Sequence, residues 1–470
     1  MKKAVCSLFV LLALVLVASS ISSHAQAQTK PSAKAVQTTK GVKVDFKDVK
    51  LANGLRVLIA EDHTAPVISL AVTYNTGSRN ERQGRTGFAH LFEHMMFKGS
   101  ENVGTGEHML LVFNNGGNLN GSTNEDRTNY FEELPANQLD LALFLEADRM
   151  RSLPAAITKE NLDNQRNAVQ EERRLGVDNQ PYGKTEEKFQ ETMYDNFTYK
   201  HSVIGSMQDL NAASVEDVID FFHIYYAPNN AVLALVGDFK TDEALAKIKK
   251  YFEPIPSHAA PPPVDSTEPD QTAERRFTME DQLARLPQLA IGYKGFVGNT
   301  PDFYAMQVLN QALASGQSSR LYQILVKEKE LVANIFGFVR EMRGPGYYQL
   351  TATLKPTTKF EDVEAVINEE IAKLQQEPIA DWELQKAKNS ARRFSVQALQ
   401  STLGVAIRLS QYGVYYNDPS LINTQFEKVD AVTKADVQRV ANKYLKVTNR
   451  TVAQTVPKPK TAASPAGMER

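Results

Sequence analysis

An α+β protein of two homologous halves, each a mostly antiparallel sheet packed with helices, is the fold class that this 470-residue sequence predicts. Three observations point there. In the first half, strand-like runs are followed by stretches of helical periodicity. A proline-dense stretch over residues 254–274, carrying Pro254, Pro256, Pro261, Pro262, Pro263 and Pro269, resists helix and central strand and reads as an extended linker between segments of similar length. Finally, Ser214-Val215-Glu216-Asp217-Val218, followed by Tyr225, Asn230 and a strand, returns as Thr433-Lys434-Ala435-Asp436-Val437, followed by Tyr444, Asn449 and a strand, with every pair offset by 219 positions.

The elements follow in chain order. Lys2 and Lys3, an apolar stretch from Ala4 to about Ala18, and Ala25-Gln26-Ala27 form a positive, apolar and A-x-A-like series. Residues 1–27 are therefore expected to be a cleaved signal peptide, too short in its apolar part for a span of about 20 residues. The mature chain is expected outside the cytoplasm, in a periplasm or secreted. Residues 28–42 are polar and small and are expected to be flexible. Leu51 to Ile59 reads as a hairpin, because Asn53-Gly54 between apolar runs favours a tight turn. Val67–Tyr74 reads as a buried strand; Thr86–Phe97, Gln138–Met150 and Lys159–Leu175 carry helical periodicity; Ala231–Val236 is a strand stopped by Gly237-Asp238. The domain limits are then 43–253 and 275–456, with a Pro/Ala/Ser/Lys-rich disordered tail over 457–470.

Composition narrows the function. A formal net charge of −2 and a pI near 6.5 imply no polybasic surface for nucleic acid. The single cysteine, Cys6, excludes an internal disulfide framework and a cysteine-rich zinc module.

The chemical signal is His90-Leu91-Phe92-Glu93-His94. On a helix, His90 and His94 lie one turn apart on one face, a spacing that lets two imidazole nitrogens reach one Zn²⁺. Glu93 lies near that face and can act on a water without being a ligand; this is the inverted H-x-x-E-H arrangement of zinc peptidases. A catalytic zinc usually has a third protein ligand. At about 100° per residue, Glu172 shares a face with Leu162, Gln165, Ala168 and Val169, whereas Glu171 points away and can pair with Arg174. Glu172 is the expected third ligand, facing inward. In this scheme Glu93 is the base that takes a proton from water attacking a peptide carbonyl, with no covalent intermediate. Gly116-Gly117-Asn118-Leu119-Asn120-Gly121-Ser122-Thr123 reads as an edge strand near the metal, where Asn120, Gly121 and Ser122 bind substrate backbone by strand addition.

Together these residues resemble the pitrilysin-type zinc metallopeptidases, in particular the short two-domain branch that includes mitochondrial processing peptidase subunits and bacterial periplasmic members. The resemblance runs over about 44–458: the inverted motif, the glutamate Glu172 six residues after Arg166, the Gly-Gly-x-x-Asn strand, Tyr225-Tyr226-Ala227-Pro228-Asn229-Asn230, and the duplication. It implies the mitochondrial processing peptidase-like metallohydrolase fold, one Zn²⁺ per chain, and endopeptidase activity on unfolded peptides inside a chamber of paired halves. Two positions depart from the family. Gln165 stands where a second glutamate is common, as a neighbour able to hold Glu172 or substrate. Lys327 and Asn334 stand where the C-terminal domain often offers an Arg and a Tyr. This chain therefore resembles the zinc-bearing subunit of a pair, its partner a homologous chain with the Arg/Tyr pair or a second copy. Matching Gly99 to Gly316 puts Gln307, Asn310 and Gln311 opposite His90, Glu93 and His94, so no second metal is expected. The alternative is a non-catalytic scaffold or peptide-binding subunit of the same fold; loss of His90, Glu93 or His94 would mark it, and all three are present.

Overall fold

The structure, a computed structural model, describes residues 43–458. The expected leader and the polar segment 28–42 lie outside the described residues, as does the tail beyond Lys458. Strands β1 (Lys47–Lys50), β2 (Arg56–Glu61) and β3 (Val67–Tyr74) lead into helices α1 (Phe88–Met95) and α2 (Glu107–Asn114). Then come β4 (Asn118–Thr123), β5 (Thr128–Pro135), α3 (Leu139–Ser152), α4 (Lys159–Arg173), α5 (Gly183–Met193), α6 (Phe197–Lys200), α7 (Met207–Asn211), α8 (Val215–Tyr225), β6 (Ala231–Gly237) and α9 (Thr241–Phe252). After the proline segment follow β7 (Arg275–Asp281), β8 (Gln288–Val297), α10 (Pro301–Leu313), β9 (Val332–Arg340), β10 (Pro345–Leu354), α11 (Phe360–Gln376), α12 (Asp381–Ala398), α13 (Thr402–Tyr416), α14 (Leu421–Asp430), α15 (Lys434–Tyr444) and β11 (Arg450–Pro457).

The strands form two sheets, β1-β2-β6-β3-β5-β4 and β7-β11-β8-β10-β9. Without β1 they are one topology repeated: β2 and β7 pair parallel with β6 and β11, and all other neighbours are antiparallel. The repeat extends to single bonds. Ser214 and Thr433 each close a capping box with an aspartate three residues on. Asn230 Nδ2 donates to Tyr225 O at 2.8 Å, and Asn449 Nδ2 to Tyr444 O at 2.9 Å. Such a box satisfies two end N–H groups at once, which explains why the pattern marks each helix start in the sequence.

One expectation holds and one needs correction. The hairpin closes through a tight turn at Asn53-Gly54: Gly54 N donates to Leu51 O and Leu51 N to Leu55 O, both at 2.9 Å, with Gly54 in the left-handed region at φ 91°. Leu51 and Leu55, which flank it, bury in the core, 4% and 0% exposed. The tail does not begin at Pro457, since Pro457 pairs with Asp281 in the sheet and Lys458 N donates to Asp281 O.

Each sheet buries one face under helices of its own half, around Leu70, Phe92 and Leu143 in the first and Ile291, Leu309 and Ile367 in the second. The other face is covered by the opposite half. Val405, Ala406 and Leu409 of α13 pack on Leu58, Ala71 and Ala234 of the first sheet. Phe189 and Met193 of α5 pack on Ala290 and Ala453 of the second. Buried hydroxyl pairs pin the exchange: Thr73 to Ser410 at 2.8 Å and Thr455 to Thr185 at 3.0 Å.

Candidate active site

Helix α1 carries the inverted motif. Its N-cap is Gly87 in the left-handed region, with no side-chain cap of its own. The buried carboxylate of Glu81 supplies the missing acceptor, taking the N–H of Gly87 at 2.9 Å and of Ala89 at 2.8 Å. A carboxylate at a helix N-terminus is favoured by both the orphan donors and the dipole. On the core side of α1, Phe92 packs against Tyr226, centroids 4.2 Å apart, while Met95 is fully buried. That burial fixes the direction of the opposite face, where His90 and His94 lie with ring centroids 4.8 Å apart.

Helix α4 starts at the Thr158 cap and delivers Glu172 in its last turn. His90 Nε2 lies 3.7 Å and His94 Nε2 3.4 Å from Glu172 Oε2. The three ligand atoms lie within 4.8 Å of one another, which is the spread that three donors about 2.0–2.2 Å from one Zn²⁺ require. Two imidazoles and a carboxylate are also a borderline-soft donor set suited to zinc. The chain's residues fit the ion. Glu171 points elsewhere and pairs with Arg174 at 3.0 Å.

The surroundings of Glu172 differ from the inward position expected of it. Leu162, Gln165 and Val169 are buried, but Ala168 is exposed and the Glu172 side chain is 51% exposed. The helical face turns from core to solvent along α4, and Glu172 stands at the open edge of the site. Contact with His94, aided by His90 and opposed by partial burial, holds its carboxyl below the usual range. Burial and the neighbouring His94 lower His90 to about 4, which leaves a neutral imidazole ready as a ligand at pH 7.

Glu93 is buried and raised above the ordinary carboxylate range, first by desolvation, against a hydrogen bond from Thr123 Oγ1 at 2.5 Å. It is outside the ligand triad. Strand β4 runs past it as the sheet edge. A Cβ on Gly121 would lie 2.8 Å from Glu93 Oε1, so glycine lets the strand approach the carboxylate without moving it. Asn120 Oδ1 accepts the N–H of Gly121. Ser122 Oγ donates to Asn129 and accepts from Arg127 Nη1. Gln165 is buried and donates to Asn164 Oδ1, with no hydrogen bond to Glu172. Lys327 lies in a helical turn before β9 and Asn334 on β9, both exposed.

The second half keeps the architecture without the chemistry. Asn310 stands on Gly337 of edge strand β9 as Glu93 does on Gly121, its Nδ2 donating to Gly337 O at 3.0 Å. Gln307, Asn310 and Gln311 line a cavity of about 550 Å³, with Ala391 on α12. Another group of metal-capable side chains, His108, Glu132 and Glu146, is fully buried beneath α1. Arg149 holds Glu146 through Nε at 3.0 Å and Nη2, and lies 4.4 Å over the Tyr130 ring. This group escaped the sequence reading because its members sit on three different elements.

In sequence and fold the chain is similar to known proteins. Residues 56–206 match the family described as Insulinase (Peptidase family M16), and residues 212–391 the Peptidase M16 inactive domain. The zinc protease PqqE of Helicobacter pylori is 32% identical over 409 residues, 86% of this chain and 91% of that protein. A probable mitochondrial-processing peptidase subunit beta of Arabidopsis thaliana is 24% identical over 404 residues, 84% of this chain and 75% of that protein. The crystal structure of a protease from Helicobacter pylori superposes with a TM-score of 0.83 at 31% identity, covering 88% of this chain and all of that one (100%).

Proposed function

The chain belongs to the M16 peptidase family, and from that premise we propose that it is a zinc-dependent endopeptidase that cuts unfolded peptides. The observation that carries this reading is the convergence of His90 Nε2, His94 Nε2 and Glu172 Oε2, with Glu93 beside them and outside the triad. Bound there, Zn²⁺ would supply a Lewis acid for a water and for the peptide carbonyl.

The chain's own groups do the rest. Neutral His90 and ionised Glu172 present lone pairs rather than protons to the ion. Glu93 takes the proton from the attacking water, and its raised basicity brings it nearer to working pH than a solvated glutamate. Thr123 fixes one carboxylate oxygen, so the other is free to receive that proton. Glu93 then returns the proton to the leaving amine. The exposed edge of β4 offers backbone groups to an extended peptide, with Asn120, Gly121 and Ser122 alongside. The half-exposed Glu172 leaves the site open on one side, which supports a facing subunit that excludes water: a homologous chain with an Arg/Tyr pair, or a second copy. The leader-like residues 1–27 support action outside the cytoplasm, preferably in a periplasm. No described helix is long and apolar enough to cross a membrane.

The test is Glu93→Gln. It should keep its zinc, measured by inductively coupled plasma mass spectrometry, and lose about 10²–10⁴-fold in kcat on an unstructured peptide. Wild-type turnover in this variant would remove Glu93 from the mechanism.

A further inference from the structure

Among the described residues, Arg127 has no salt-bridge partner. It closes the Asn124–Arg127 turn between β4 and β5, where Asn124 N donates to Arg127 O at 3.0 Å. Its Nη1 donates to Ser122 O at 2.5 Å and Ser122 Oγ at 2.7 Å, and its buried Nε has no partner. Among the described residues no carboxylate oxygen lies within salt-bridge distance of its guanidinium. The acids beside it in the chain are taken: Glu125 pairs with Arg340 at 2.5 Å, and Asp126 with Arg79 at 3.3 Å and with the N–H of Arg343 at 2.9 Å. Burial pushes the Arg127 guanidinium down, against Tyr415 and Glu93, so it lies within electrostatic reach of the proposed base. A largely buried cation left without an anion is costly, and a fold tolerates one where an anion will arrive.

The strand geometry says how one could arrive. Successive side chains of β4 point to opposite faces of the sheet. Gly121 and Thr123 meet Glu93, whereas the Ser122 side chain meets Arg127, on the face where Tyr415 of α13 bonds Asn124. A peptide added to the free edge of β4 alternates in the same way. Of two consecutive substrate residues at the cut, one side chain faces the Glu93 side and its neighbour the Arg127 side.

We propose that Arg127 is a specificity-determining residue that pairs with an aspartate or glutamate side chain on a substrate residue adjoining the scissile bond. The fork geometry of guanidinium suits a carboxylate, and the remaining N–H groups of Arg127 are unspent. This inference deepens the endopeptidase reading and rests on it.

The experiment uses the zinc-loaded full mature chain. Unstructured peptides identical except for Glu or Gln at each residue flanking the cut are compared by kcat/KM, the cut located by mass spectrometry. The same labelled peptides are titrated by fluorescence anisotropy against Glu93→Gln, where turnover does not intervene. At one flanking position Glu should exceed Gln by about 10-fold or more in both assays, as expected for a charge-assisted pair. Arg127→Gln should bring that ratio to near one, and Arg127→Lys should keep part of it while showing that the fold survives substitution. Equal cleavage and binding of the Glu and Gln peptides by the wild-type residue, or a preference that persists in Arg127→Gln, would overturn the proposal. If no peptide is cut yet the Glu peptide binds more tightly in an Arg127-dependent way, the endopeptidase reading fails, the role beside a scissile bond falls with it, and only the carboxylate pairing of Arg127 stands.

Discussion

Glu172 and Glu171 are adjacent in the chain and about 100° apart on the helix, and only Glu172 reaches the histidines. Glu172→Gln exchanges an anionic ligand for a weak neutral one, so zinc retained after dialysis against a chelator should fall at least 10-fold, while Glu171→Gln should retain the wild-type amount. Loss in Glu171→Gln instead would mean that the ligands are misassigned. His90, Glu93 and His94 were legible in the sequence because their geometry is local: one helical turn fixes it. That Glu172 and not Glu171 lies beside the histidines was legible from helical phase, but its exposure was not, because phase says which residues share a face and not where along the helix the core ends. Arg127 left no mark in the sequence. Its signal is the engagement of Glu125 and Asp126 by Arg340 and Arg79, groups distant in the chain.

Helices α10 and α15 show how an element is held by one residue. Asp302, in the first turn of α10, accepts from Arg439 Nη1 at 2.5 Å, Lys443 at 2.8 Å and Tyr444 Oη at 2.6 Å, all on α15. Burial alone would raise its carboxyl, but Lys443, Tyr444 and Arg439 outweigh it and hold it down to about 2, from 3.8. A carboxyl depressed in the folded state contributes stability that is present above the unfolded value and lost as pH falls through the folded one. Wild-type stability should therefore drop between about pH 4 and pH 2, and Asp302→Asn should be less stable at pH 7 and flatter over that window, read from denaturant midpoints at each pH. Identical pH profiles for the two proteins would remove Asp302 as the tie. Element positions were largely legible. Val67–Tyr74 follows from β-branched density and Lys159–Arg173 from periodicity. The tight turn at Asn53-Gly54 follows from local turn chemistry. The end of β11 was not legible, because Pro457 is held by pairing with Asp281 on a strand distant in the chain, a tertiary effect.

At the scale of the molecule, the repeat at offset 219 foretold two copies of one sheet topology, and the structure carries it to individual hydrogen bonds. The exchange of α5 and α13 between halves was hidden, since an amphipathic helix carries no label for the sheet it will cover. That exchange makes the second half a structural requirement of the first: without α13, Leu58, Ala71 and Ala234 would face water. The equivalent place in the second half has a glycine on its edge strand but carries Gln307, Asn310 and Gln311, so the proposed chemistry rests on the first half. The central claim is that this half hydrolyses peptide bonds through a zinc ion held by His90, His94 and Glu172. The most direct measurement is cleavage of an unstructured peptide by the mature chain as purified, after stripping with a chelator, and after return of one equivalent of Zn²⁺, with Glu93→Gln carried through the same cycle. The account predicts activity lost on stripping and restored by one equivalent in the wild type, and none at any stage in Glu93→Gln. Cleavage that survives stripping, or that Glu93→Gln shares, would contradict it.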